Sequence, residues 1–175
     1  MRFTPLRTAA GVFVLASAVL AAALAARLHA PALPAVSAAP VATPAQLQRG
    51  ADLARAGNCM ACHTARGGSP YAGGRRIETP FGVVVSGNLT PDPETGLGQW
   101  SPEAFRRALH EGRSRDGRLL YPAFPYAHTT RVTDEDADAL YAHLRSLPAV
   151  RQPHPGHGLR FPYSCLLYTS PSPRD

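Results

Sequence analysis

Cys59-Met60-Ala61-Cys62-His63 is the stretch on which the fold and the chemistry turn. Its pattern, C-x-x-C-H, is the attachment signature of a c-type haem. Two thiols three positions apart can each form a thioether with one haem vinyl group. The adjacent imidazole then reaches the iron from the same face as its proximal ligand. Two other chemistries use paired cysteines. A structural zinc site needs two further ligands at suitable spacing, and the sequence holds no second Cys pair. A thioredoxin-like redox pair belongs in a βαβ surround, whereas this pair lies among Gly- and Pro-rich loops. The pattern favours one covalent haem (heme c), with Cys59, Cys62 and His63 as its site and His63 on the iron.

The ends of the chain carry different signals. Arg2 and Arg7 precede an uncharged Ala/Val/Leu run over residues 9–26, and small residues including Ala38-Ala39 follow. That order is expected of a secretory signal, and the run also has the length of a short membrane anchor. Residues 1–30 are therefore read as a signal peptide or N-terminal anchor, with the N-terminus cytoplasmic under the positive-inside rule and the rest exported. Residues 31–45, rich in Pro and Ala, read as a linker without a core-forming pattern. At the other end, residues 165–175 read as a translated sequencing-library adapter and are set aside, which removes Cys165 from the native thiols. The natural chain is then expected to continue past Ser164, with residues 151–164 as the start of that continuation.

Between these ends lie about 120 residues, a usual size for one domain. The formal charge is +6, and Arg2, Arg7 and Arg27 in the leader supply half of it. Haem propionates would lower the remainder further. This is no nucleic-acid signature.

Three helices are legible. Thr43 is an N-cap before Pro44, with Gln46 placed for a capping box, and the helix runs over 44–56 with Leu47, Gly50, Ala51 and Ala54 on one face. Gly50 would admit a second helix closely, and Gly57 ends the first. Ser101-Pro102-Glu103 starts another, whose stripe is Phe105, Ala108 and Leu109 up to Gly112. Thr133-Asp134-Glu135-Asp136 opens the last, with Ala137, Leu140, Tyr141 and Leu144 facing inward and Pro148 as the stop. Residues 64–100 are loop-dominated, and 81–85 is the one strand-like run. A haem can supply the apolar surface that such a loop would otherwise lack. Asn88-Leu89-Thr90 matches a glycosylation sequon, without weight in a bacterial-looking chain.

A series of words now follows one order along residues 50–150: Arg55-Ala56-Gly57, Cys62-His63-Thr64-Ala65, Ala72-Gly73-Gly74, Thr79-Pro80-Phe81-Gly82 and Asn88-Leu89-Thr90-Pro91-Asp92. Thr95-Gly96-Leu97-Gly98, Trp100-Ser101, Leu120-Tyr121-Pro122-Ala123-Phe124-Pro125-Tyr126 and Thr133-Asp134-Glu135-Asp136 complete it. In these words the chain resembles the cytochrome c subunits of membrane-bound bacterial dehydrogenases that oxidise alcohols, gluconate and other sugar acids, aldehydes or, in molybdenum-type enzymes, N-heterocycles. The resemblance implies an all-α, class I cytochrome c fold over 46–150, with about three helices wrapped around one covalent haem. It implies an electron-transfer subunit rather than an enzyme in its own right. Its partners would be a dehydrogenase catalytic subunit and, at the membrane, a quinone, another haem or a terminal oxidase. The location would be periplasmic, and further haem domains are frequent in such chains.

In many of these relatives the word at 121–126 carries a Met that binds iron opposite the proximal His. Here that position is Phe124, and the methionines are Met1 in the leader and Met60 inside the attachment motif. His128, four residues beyond Phe124, is the candidate sixth ligand. The alternatives are a surface His in a polar turn, or a vacant sixth position. His110 is a second candidate, His143 is expected to face solvent or a partner, and His154 and His157 fall in a Pro/Gly-rich segment. A bis-His iron would have a lower potential than a His/Met one. Pro80 is placed to offer its carbonyl to the His63 ring N–H, the usual device for orienting an axial imidazole. Trp100 and Tyr126 could donate to haem propionates or pack in the core. Arg75, Arg76, Arg113, Arg115 and Arg118 could meet propionates or an acidic partner, or simply be solvated.

Outer-sphere electron transfer is the function these residues favour, with no side chain performing bond chemistry. A haem peroxidase or gas-binding sensor would need an open iron position and a distal pocket with catalytic groups. A non-haem exported interaction domain is the third reading, which covalent haem incorporation would exclude.

Overall fold

The computed structural model describes residues 5–28, 30–36, 38, 41–121 and 123–166. Arg2, Ala39, Pro122 and residues 167–175 of the adapter-like tail lie outside them. In chain order the elements are α1 (Pro5–Leu28), α2 (Pro44–Ala56), α3 (Cys59–His63), β1 (Arg76–Thr79), β2 (Gly82–Val85), α4 (Pro102–Glu111), α5 (Tyr126–Thr129), α6 (Asp134–Ser146), β3 (Gly158–Leu159) and α7 (Tyr163–Leu166).

Side-chain hydroxyls start the three helices of the body. Thr43 accepts from the Gln46 N–H, Ser101 from Ala104 and Thr133 from Asp136, each satisfying a donor the helix itself leaves free. Gly112 closes α4 in the left-handed region at φ 63°, where a Cβ would be strained. Gly57 caps α2 in a right-handed conformation, and the left-handed residue is the next one, Asn58.

These helices make the core. α6 lies at its centre, packed on α2 and α4. Its inward residues Ala137, Leu140, Tyr141 and Leu144 are buried as the periodicity predicts, and Ala139, Ala142 and Arg145 are buried too. The extra burial arises because α6 has neighbours on two sides. Against α2 the spacing is set by glycine: a Cβ on Gly50 would overlap the Ala139 carbonyl and lie 2.7 Å from His143 Cβ. His143 is therefore in the helix interface, its ring edge-on to Tyr71, rather than turned to solvent or a partner as expected. Tyr141 donates its hydroxyl to the Trp100 carbonyl, and Arg145 donates to that of Leu97 while lying 5.9 Å from the Tyr141 ring.

The body is largely helical, as expected of a cytochrome c domain, but a small antiparallel sheet departs from the expected all-α fold. β1 and β2 form an antiparallel hairpin with Arg76 opposite Val85 and Thr79 opposite Gly82, joined by Pro80-Phe81. β3 pairs with β2 on its other side, Gly82 opposite Leu159 and Val83 opposite Gly158. The β-branched run Val83-Val84-Val85 accounts for β2. β1 alternates exposed and half-buried residues over only four positions and β3 has two residues, so each depends on its pairing with β2.

The Asn88-Leu89-Thr90-Pro91-Asp92 word is structural. Asn88 Nδ2 donates to the Val150 carbonyl at 2.7 Å, and its Oδ1 accepts from the Thr90 N–H and hydroxyl. Asp92 Oδ1 accepts from the backbone of Glu94 and Thr95 and from the Thr95 hydroxyl. Burial alone would raise the Asp92 pKa, but these hydrogen bonds, with Arg151 nearby, hold it below the usual carboxylate range. Asn88 is 7% exposed and so is no surface sequon.

The Pro/Ala segment before α2 does more than tether. The Leu33 and Val36 N–H groups donate to the carbonyls of Arg115 and Gln99. Arg107 donates to the carbonyl of Pro31. In α1, the side chains described at 11–24 are exposed, Val12, Phe13, Val14 and Leu15 among them. Among the described residues no helix is long and apolar enough to cross a membrane.

Candidate haem-attachment site

Gly57-Asn58 turns the chain out of α2 directly into α3, because Asn58 takes the left-handed conformation at φ 51°. Asn reaches that region at lower cost than most residues. α3 is a single turn that carries Cys59, Met60, Ala61, Cys62 and His63 together. Both cysteines are free thiols; Cys59 is half-buried against the core and Cys62 is exposed. Burial pushes the Cys59 thiol pKa up, with Cys62 adding to it.

His63 is held from two sides. Its carbonyl accepts from the Gly73 N–H at 2.8 Å. Its ring Nδ1 lies 2.8 Å from the Gly87 carbonyl oxygen, which can only accept, so the proton is on Nδ1. Nε2 then carries the lone pair. Burial pushes the imidazole pKa down, and the Gly87 carbonyl offsets this only in part. The orienting carbonyl is thus that of Gly87, not of Pro80, which lies instead in the turn of the β1–β2 hairpin.

Gly73 explains why Gly87 can sit there. At φ 77°, Gly73 faces Gly87 so closely that a Cβ would fall 2.5 Å from the Gly87 carbonyl carbon and oxygen. The Gly73 carbonyl accepts from Ala65, completing a short parallel bridge beside His63. Tyr71, also left-handed at φ 60°, is buried and donates its N–H to Thr64 Oγ1. The stretch around 71–74 is therefore the cradle of His63. Its sequence signal was the paired glycines; the partner, Gly87, had none beyond being a glycine.

The other histidines divide. His128 lies exposed on α5, which packs on α4, whereas α3 packs on α2. The structure thus groups Cys59, Cys62 and His63 on one turn and places His128 on a separate element. Phe124 is half-buried against the core. His110 has its Nε2 on the Val132 carbonyl at 2.8 Å, which removes that nitrogen from ligation. Trp100 packs against the core, and Tyr126 is exposed beside Gly112. His154 and His157, unremarked by spacing, both bind Val85.

Two thiols and an imidazole on one helical turn, the imidazole fixed in the tautomer that leaves Nε2 open, fit a covalently attached haem. Residues of this kind in this arrangement define a c-type haem protein. The chain belongs to the cytochrome c family, whose model matches residues 47–148, and its cofactor is covalent heme c. It is 54% identical over 120 residues to a nicotinate dehydrogenase subunit of Pseudomonas putida, an alignment covering 69% of this chain and 10% of that protein. It is 42% identical over 144 residues to the cytochrome c subunit of the quinone alcohol dehydrogenase of Gluconacetobacter polyoxogenes, covering 78% and 31%. With the gluconate 2-dehydrogenase cytochrome c subunit of Pantoea cypripedii the figures are 43% over 124 residues, covering 70% and 28%. The chain thus spans less than a third of the length of each of these relatives.

Proposed function

We propose that this chain is a haem-bearing electron-transfer domain of an exported dehydrogenase complex. The observation that carries the reading is the α3 turn, with Cys59, Cys62 and His63 together and Nδ1 of His63 donating to Gly87. Cys59 and Cys62 tether the haem, and His63 Nε2 is the proximal ligand. Bound haem supplies a one-electron ferrous/ferric couple; the chain sets its potential and orients it.

His128 is proposed as the sixth ligand. Support comes from its place just after Phe124, on a short helix whose exposed side chain has freedom to turn. The partner is proposed as a catalytic subunit that oxidises an N-heterocyclic acid. This is supported by higher identity to the nicotinate dehydrogenase relative, 54%, than to the alcohol and gluconate dehydrogenase subunits, 42% and 43%. Electrons would leave towards a quinone, another haem or a terminal oxidase. The exposed apolar side chains of α1 and the positive leader support export, with α1 as a signal segment.

The test is expression in a periplasm with c-haem maturation, followed by optical and EPR spectra of the wild type and of His128→Ala. A two-thioether haem spectrum is expected, low-spin and turning high-spin in the variant. A wild-type chain without covalent haem would overturn the haem reading. A variant that stays low-spin would remove His128 alone.

A further inference from the structure

His154 and His157 lie beyond the residues matched by the family model, yet both are bonded to the strand that leads to the His63 partner. Val85 is the last residue of β2, two before Gly87. On the outer edge of β2, backbone pairing with β3 covers Gly82 and Val83 only. At Val85 two side chains replace the missing strand. His154 Nε2 donates to the Val85 carbonyl at 3.0 Å, and the Val85 N–H donates to His157 Nδ1 at 3.1 Å. The Gly156 N–H donates to His154 Nδ1, so the clasp uses both nitrogens of His154.

This arrangement works in one protonation state. A ring nitrogen facing an N–H must carry a lone pair, so His154 and His157 must both be neutral, each with its proton on Nε2. The surroundings favour that. Desolvation, then His154 and Arg118, push the His157 pKa down to about 4. The two rings meet edge to face at 4.8 Å, and His157 also lies against Tyr121 at 5.6 Å. A neutral His157 at pH 7 therefore holds an acceptor for Val85.

We infer that His154 and His157 are positioning residues for the axial imidazole: by clasping Val85 they fix the Gly87 carbonyl to which His63 Nδ1–H donates. The inner side of the same stretch is fixed by Gly74 and Arg75, whose backbones bond Ser86, and by the close approach of Gly73 to Gly87. The clasp fixes the outer side. A firm Nδ1–H···O=C bond makes a ligating imidazole more basic and favours ferric iron. Loosening the clasp weakens that bond and raises the midpoint potential. This consequence for potential rests on His63 being the proximal ligand; the positioning itself does not.

Two measurements on the haem-loaded full chain separate these levels. Nitrogen-15 NMR of the ferrous chain reads the His63 Nδ1–H directly, through its chemical shift and its protection from exchange. The midpoint potential is read on the same chain. His157→Asn keeps an acceptor oxygen close to the place of Nδ1 and cannot titrate; His157→Phe keeps a ring against Tyr121 and removes the acceptor. Wild type and His157→Asn are expected to keep the Nδ1–H protected and to share one potential. His157→Phe is expected to lose that protection and shift the potential upward. If His157→Phe does not fold, His154→Leu removes the donor to Val85 and carries the same expectation. An unchanged Nδ1–H signal in a folded clasp variant would overturn the positioning role. A changed Nδ1–H signal with an unchanged potential would overturn its link to the haem. Failure of the wild type to attach haem would overturn the ligand reading on which the link to the potential rests.

Discussion

At the scale of single residues, the site depends on one close approach between glycines. Gly73 is at φ 77° and its missing Cβ leaves room for the Gly87 carbonyl. Gly73→Ala adds backbone strain and a collision with backbone that has nowhere cheap to move. The expected cost is about 1–3 kcal/mol, measurable as a lower urea midpoint. The displaced Gly87 carbonyl should also weaken its bond to His63, so the haem potential should rise in the same variant. A variant as stable as wild type would show that the cradle can relax. The motif itself was legible: C-x-x-C-H puts two thiols and an imidazole on one turn and names the cofactor as covalent heme c. The identity of the orienting carbonyl was not, because Pro80 and Gly87 are both reachable loop positions and the hairpin decides which one faces the ring.

At the scale of elements, the α2–α6 contact is set by the absence of a side chain. Gly50→Ala places a methyl on the Ala139 carbonyl and against His143. It improves local helix propensity by about 1 kcal/mol, but the overlap is with backbone, and overpacking of this kind costs about 1–3 kcal/mol. Net destabilisation is the expected outcome of thermal or urea unfolding; net stabilisation would mean that the helices can separate freely. The capped helices α2, α4 and α6 were readable because capping and the 3.6-residue period are local properties. α3 is too short to show a period. β1 and β3 escaped reading for the same reason that they exist, since both are made by a partner strand distant in sequence or by a turn between them.

At the scale of the whole molecule, residues 149–159 tie the segment after α6 to the β1–β2 hairpin and the 88–90 loop through Val150, His154, His157 and β3. That tie has a pH dependence of defined sign. The His157 pKa is lowered from 6.5 to about 4 in the folded chain, first by desolvation and then by His154 and Arg118. Tyr121 and Val85 also face its ring. The unfolded chain therefore binds the proton first as pH falls. The stabilisation is complete above about pH 6.5 and is lost progressively as pH falls towards 4. Urea midpoints of the haem-loaded chain should fall across that window, and less so in His157→Asn, where nothing titrates at this position. Equal slopes would show that another group carries the effect. The sequence by itself determined the covalent chemistry, the three capped helices and the inward faces of α4 and α6, because each is written within one to four turns of chain. Tertiary structure alone decided the sheet, the place of His143 in the α2–α6 interface, the pairing of His63 with Gly87 and the clasp on Val85. Those contacts join residues tens of positions apart, and no local propensity records which backbone carbonyl a folded chain will bring to a ring nitrogen.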